Sequence, residues 1–168
     1  MRTLTRFSLA ALLALSTLPA AAQTGAWTSI ASVGAVDPSL AALYTTGSTE
    51  MVFRANMTGT ITVRYNVTNT FGGGVSDTPP WTTLQMTYAD NSSAGFINAV
   101  LVEVDPCSLQ RRLVCFLIST DTSANRSCVT CTFPSNSFNF GSKLYYIEAQ
   151  ISRNSTAAIE ILDGFRIF

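Results

Sequence analysis

The sequence predicts an all-β chain: one antiparallel β-sandwich, jelly-roll-like, of about eight or nine strands. Three observations carry this. Apolar and polar residues alternate with period two along most of the chain after residue 22. Clusters of Gly, Pro, Asn, Asp and Ser separate the alternating runs. The one helical hint is Asp37-Pro38-Ser39-Leu40, with Asp37 as cap and Pro38 in the first position, enough for a single turn.

Residues 1–22 precede the strands and read as a secretory signal peptide. Arg2 and Arg6 make a positive start, residues 7–18 are apolar, and Ala20 and Ala22 stand where a signal peptidase reads. The apolar run is about 12 residues, short of the roughly 20 that span a bilayer. Residues 23–168 are then one domain, with eight basic and ten acidic side chains. No later run reaches the roughly 18 apolar residues of a transmembrane helix.

Within that domain the clearest strand is residues 60–68, with Ile61, Val63, Tyr65 and Val67 on one face and Thr, Arg and Asn on the other. Residues 82–88 turn Leu84, Met86 and Tyr88 inward. Residues 145–152 turn Tyr145, Ile147, Ala149 and Ile151 inward. Near the end, Ile159, Ile161, Phe165 and Ile167 share a face, interrupted at Asp163. Residues 96–104 and 113–118 are almost continuously apolar, which suits central strands buried on both faces. Shorter strands are expected at 27–33, 50–55 and 137–140. Loops are expected at 71–80, 90–93 and 121–127, the last polar and irregular.

Composition excludes several chemistries. The chain has no histidine, so it holds no Ser-His-Asp triad, no Cys-His dyad and no His-ligated zinc. Lys143 is the only lysine, and nine arginines complete the basic set. That arginine bias points to a bacterial source. The balanced charge offers no basic stripe for nucleic acid. No metal set and no cofactor are indicated.

An exported chain meets oxidising conditions, so its four cysteines read as disulfides. The expected pairs are Cys107 with Cys115 across a hairpin, and Cys128 with Cys131 as a staple in a Ser/Thr-rich loop. Other pairings stay open.

Three side chains are candidate ligand contacts. Trp81, after Pro79-Pro80 in the longest loop, either lids the core or stacks on a sugar ring. Glu103 and Asp105 lie two apart, hence on one side of a strand. The stretch Val102-Glu103-Val104-Asp105 is similar to part of the E-x-D-x-E strand of retaining jelly-roll glycosidases, but the next residue on that face is Cys107, not an acid. Glu148 and Glu160, on the polar faces of the last two strands, are a further pair that would approach one another if those strands were neighbours.

The stretches Ser32-Val33-Gly34-Ala35-Val36-Asp37, residues 59–68, residues 100–104 and Phe138-Asn139-Phe140 with residues 145–149 resemble a family of small exported bacterial β-sandwich proteins of unknown function. The resemblance implies a β-sandwich and export, and carries no site residue. The expected function is a non-catalytic binding or surface-interaction module, secreted or at the cell envelope, whose partner is a carbohydrate or another envelope protein. The alternatives are a subunit that self-assembles by edge-strand pairing and a small carboxylate-dependent hydrolase.

Overall fold

The alternating runs pair into two antiparallel sheets. In the computed structural model, which describes residues 25–71, 78–120 and 123–168, eleven strands form. They are β1 (Trp27–Ile30), β2 (Ala35–Val36), β3 (Tyr44–Thr46), β4 (Met51–Phe53), β5 (Gly59–Val67), β6 (Thr83–Asp90), β7 (Gly95–Val104), β8 (Arg111–Ile118), β9 (Ser123–Thr132), β10 (Leu144–Arg153) and β11 (Glu160–Ile167). Sheet A runs β3-β4-β11-β6-β9, with β1 also on β11. Sheet B runs β2-β5-β10-β7-β8. The expected signal peptide, the Gly72–Gly74 loop and Asp121 lie outside the described residues.

The two sheets face each other through the side chains that the alternation placed inward. Ile61, Val63, Tyr65, Ile97, Ala99, Leu101, Ile147 and Ile151 of sheet B meet Leu84, Met86, Tyr88, Leu162, Phe165 and Ile167 of sheet A. Burying one such large side chain contributes roughly 1.5–3 kcal/mol. One end of this core is closed by rings. Phe138 lies 5.2 Å from Trp81 edge-on, 5.5 Å from Phe140 in a stack and 4.8 Å from Tyr145. The single turn expected after Asp37 is a short 3-10 turn, Pro38–Leu40, whose cap is the Asp37 carboxylate accepting the Ser39 N–H at 2.9 Å.

Four expectations need correction. Residues 137–140 are not a strand; they form the ring-bearing loop beneath Trp81. Ser123–Thr132, expected as irregular, is β9, the edge of sheet A. Its inward positions Ser127, Val129 and Cys131 are too small and polar to announce a strand. The β8 segment is not buried on both faces. It is the edge of sheet B, and Leu113, Phe116 and Ile118 stand 60%, 50% and 46% exposed on its outer side. In β11, Ile159 and Ile161 do not share the face of Phe165 and Ile167. The register shifts between Leu162 and Gly164, so Glu160 and Leu162 point inward before the bulge, and Phe165 and Ile167 after it. Gly164 takes φ +153°, and a side chain there would strike the Ser29 carbonyl.

The disulfide is also not one of the expected pairs. Cys115 of β8 bonds Cys131 of β9, with Cα atoms 6.2 Å apart, so the bridge ties the edge of sheet B to the edge of sheet A. Cys128 and Cys131 cannot bond each other because residues three apart on a strand point to opposite faces. Cys107 sits in the β7–β8 turn, while the strand partner of Cys115 is Leu101. Cys107 and Cys128 are exposed thiols.

Peptide mapping without reduction should recover Cys115 joined to Cys131. Cys115→Ser should lower the unfolding free energy by roughly 3 kcal/mol, the chain-entropy value for a loop of this length. Cys107→Ser and Cys128→Ser should leave it unchanged.

Candidate functional site

The three sequence candidates do not form one site. Trp81 is 3% exposed. Its indole N–H donates to the Gly25 carbonyl at 3.2 Å, and Phe138 and Phe140 meet it edge-on. Its ring therefore lids the core and is not presented to a ligand, which decides between the two roles set out for it above. Trp27 is likewise buried.

Glu103 and Asp105 do share a side of β7, at the ring-closed end of the sandwich. Each is already matched within the chain. Glu103 takes two guanidinium bonds from Arg112, at 3.1 and 2.7 Å, and the Tyr145 hydroxyl lies 3.1 Å from it. Asp105 accepts the backbone N–H groups of Cys107 and Ser108, at 2.9 and 3.0 Å, and the Lys143 ammonium at 2.6 Å. Arg112 beside Glu103 holds its carboxyl below the ordinary range. Lys143, with the two turn N–H groups, does the same for Asp105. A retaining glycosidase needs one carboxyl raised, to act as the acid. Here both are lowered, so the hydrolase reading finds no support. Their observed task is to fasten the β7–β8 turn and the start of β10.

Glu148 and Glu160 do not approach each other either, since they stand on different sheets. Glu148 lies on the outer side of sheet B, 2.6 Å from Arg64. Glu160 points inward from sheet A and is fully buried. Its carboxylate packs against Gly95, where a side chain would collide with it. The nearest cation is Arg153 at 3.6 Å, whose guanidinium is bonded to the carbonyls of Ser155 and Thr156. Burial pushes Glu160 up to about 7; Asp90 across the ladder adds to this and Arg153 opposes it.

The side chains brought together on an open surface are those of the outer face of sheet B. The ladder registers place them in rows. Leu113, Val102, Tyr146 and Asn66 form one row across β8, β7, β10 and β5. Phe116, Val100, Glu148 and Arg64 form the next, and Ile118, Asn98, Gln150 and Thr62 the third. The β8–β7 half is apolar apart from Asn98, with Phe116 half-exposed. The β10–β5 half is polar, with an ion pair, two amides and hydroxyls. Arg64 and Glu148 bond at 2.6 Å, which fixes both heads and leaves most of the guanidinium in solvent. Of these residues, sequence reasoning made only Glu148 a functional candidate. Those of β5 and β10 look like ordinary outward residues, and those of β7 and β8 look like core, until the strand order sets them side by side.

No protein-family model matches the chain, and no curated protein matches it in sequence. Solved structures similar to it include a carbohydrate-binding module of the β-sandwich superfamily described for promiscuous specificity, at 14% identity and a TM-score of 0.46, over 87% of this chain and 58% of that one. A xylan-binding module is similar at 14% identity and a TM-score of 0.41, over 85% and 89%. A family 11 carbohydrate-binding module from Clostridium thermocellum, solved with a β-1,3-1,4-mixed-linked tetrasaccharide, is similar at 11% identity and a TM-score of 0.44, over 84% and 86%. Similarity at this level transfers neither a ligand nor a site.

Glu160 gives a pH dependence of unusual sign. Between its ordinary value of 4.5 and about 7, the folded chain keeps a proton that the unfolded chain releases. Its contribution is therefore complete below that ordinary value and is lost as pH rises through the folded one. Glu160→Gln should remove from the urea-unfolding profile a loss of up to about 1.4 kcal/mol per pH unit over this window.

Proposed function

We propose that this is an exported, non-catalytic binding module of the cell envelope that takes a glycan on the outer face of sheet B. The observation that supports this is the set of three rows across β8, β7, β10 and β5. A sugar ring has an apolar C–H face and a rim of hydroxyls that both donate and accept. A surface suited to it pairs aromatic or aliphatic area with a few fixed polar groups. Tyr146 and Phe116 supply the first. Asn98 and Gln150 supply amides that donate and accept, and the Arg64–Glu148 pair adds donors and an acceptor already held in place. Pre-fixed groups lose less rotamer entropy on binding.

Export rests on the expected leader over residues 1–22 and on the Cys115–Cys131 disulfide, a bond that persists in oxidising compartments. Among the described residues, no helix is long and apolar enough to cross a membrane. Self-assembly by edge pairing is the weaker reading. The open edge β8 carries a register shift at Val114 and two arginines, both of which oppose strand addition.

Affinity electrophoresis of the chain without its leader, through gels cast with xylan, mixed-linkage β-glucan or galactan, tests the proposal. At least one polymer should retard the protein. Tyr146→Ala and Arg64→Ala should each weaken that retardation about tenfold, or about 1.4 kcal/mol, while keeping the thermal midpoint. Retardation that both variants retain would place the ligand elsewhere.

A further inference from the structure

The opposite face of the sandwich carries a groove that the reading above does not use. It lies on the outer side of sheet A, has a volume of about 600 Å³, and runs along β11 between β1 and β6. The bulge in β11 creates it. In the row Ile30, Gly164, Thr87, the middle position has no side chain, so the sheet dips there. The neighbouring row, Thr28, Arg166, Gln85, rises beside the dip. Ile30 and Val33 form an apolar shoulder, both well exposed.

The groove's two charged residues are in different states. Asp163 is paired with a cation that it shares with Glu50. Arg126 reaches across β6 from β9, bonds Asp163 at 2.6 Å and holds Glu50 at the same distance. Arg166 has no carboxylate partner among the described residues. Its guanidinium lies over the Phe168 ring, 4.7 Å from the centroid. Stacking orients the guanidinium plane and leaves its N–H edges free. Apart from the paired Asp163, the groove's other polar lining is hydroxyls and one amide: Thr28, Ser29, Thr49, Thr87 and Gln85. An oriented, unpaired guanidinium suits an acid group in two parallel bonds. Hydroxyls and an amide beside it suit the hydroxyls of a sugar.

We propose that this groove is a second binding site, for an acidic glycan, with the acid group on Arg166 and ring hydroxyls on Gln85, Thr87 and Thr28. The two sites face opposite ways, so one molecule can hold two glycan chains at once.

The probe is trigalacturonate, with its methyl ester as the uncharged counterpart and acetate as a bare carboxylate. Chemical shifts of the labelled protein should move at Gln85, Thr87 and Thr28 with trigalacturonate. They should move at least tenfold less at equal concentration with the ester or with acetate. Arg166→Gln, an exposed substitution, should weaken binding about tenfold and remove most of its salt dependence. Tyr146→Ala, on the other face, should leave it unchanged. Equal binding of the ester or of acetate, or an Arg166→Gln variant that binds as before, overturns the proposal. Shifts confined to Asn98, Tyr146 and Gln150 overturn it and leave the sheet B site standing. No shift with any probe overturns it as well, and the gel assay with neutral polymers then decides the sheet B site separately.

Discussion

The molecule depends on the register of β10. This strand lies between β5 and β7 and pairs with both without a break, from Tyr145 opposite Val67 to Arg153 opposite Gly59, and from Leu144 opposite Val104 to Arg153 opposite Gly95. A slip of one residue would turn Tyr145, Ile147, Ala149 and Ile151 out of the core and bring Tyr146, Glu148 and Gln150 into it. The same register that buries four inward residues also aligns the outward ones with Arg64, Val100 and Asn98. Core and candidate surface are two faces of one pairing.

The fold was legible wherever a strand has one wet and one dry face. Residues 60–68 and 145–152 show it, because burial and alternation say the same thing there. It was illegible where that link breaks. The outer side of β8 is as apolar as its inner side, so Leu113, Phe116 and Ile118 read as core when they are surface. The inner side of β9 is Ser127, Val129 and Cys131, too slight to register. In β11 the parity reverses at the bulge, and no period-two count survives an inserted residue. The disulfide escaped for a related reason: Cys115 and Cys131 meet only once two sheets have stacked.

The candidate surface was less legible still. Of the three residues named as ligand contacts, Trp81 is a core lid, and Glu103 and Asp105 secure a turn. Rare and charged residue types draw attention in a sequence, yet here those side chains are occupied by their own neighbours. The outward residues of sheet B come from four separate segments, and only the order β5-β10-β7-β8 makes them adjacent. The groove on sheet A has the same origin, since Arg166 and Gln85 become neighbours only when β11 lies beside β6. Nothing in local composition encodes such adjacency.

The bridge between Cys115 and Cys131 has a mechanical meaning for the binding role proposed above. A polymer held along the outer side of sheet B would transmit any tug to β8 and β7, toward the margin of the sandwich. Side-chain contacts between stacked sheets yield to shear a few at a time. At this margin the two layers are instead joined by a covalent link, so a pull entering through β8 passes directly into β9 and sheet A. The layers can be pried apart from that side only by rupturing or reducing the bond.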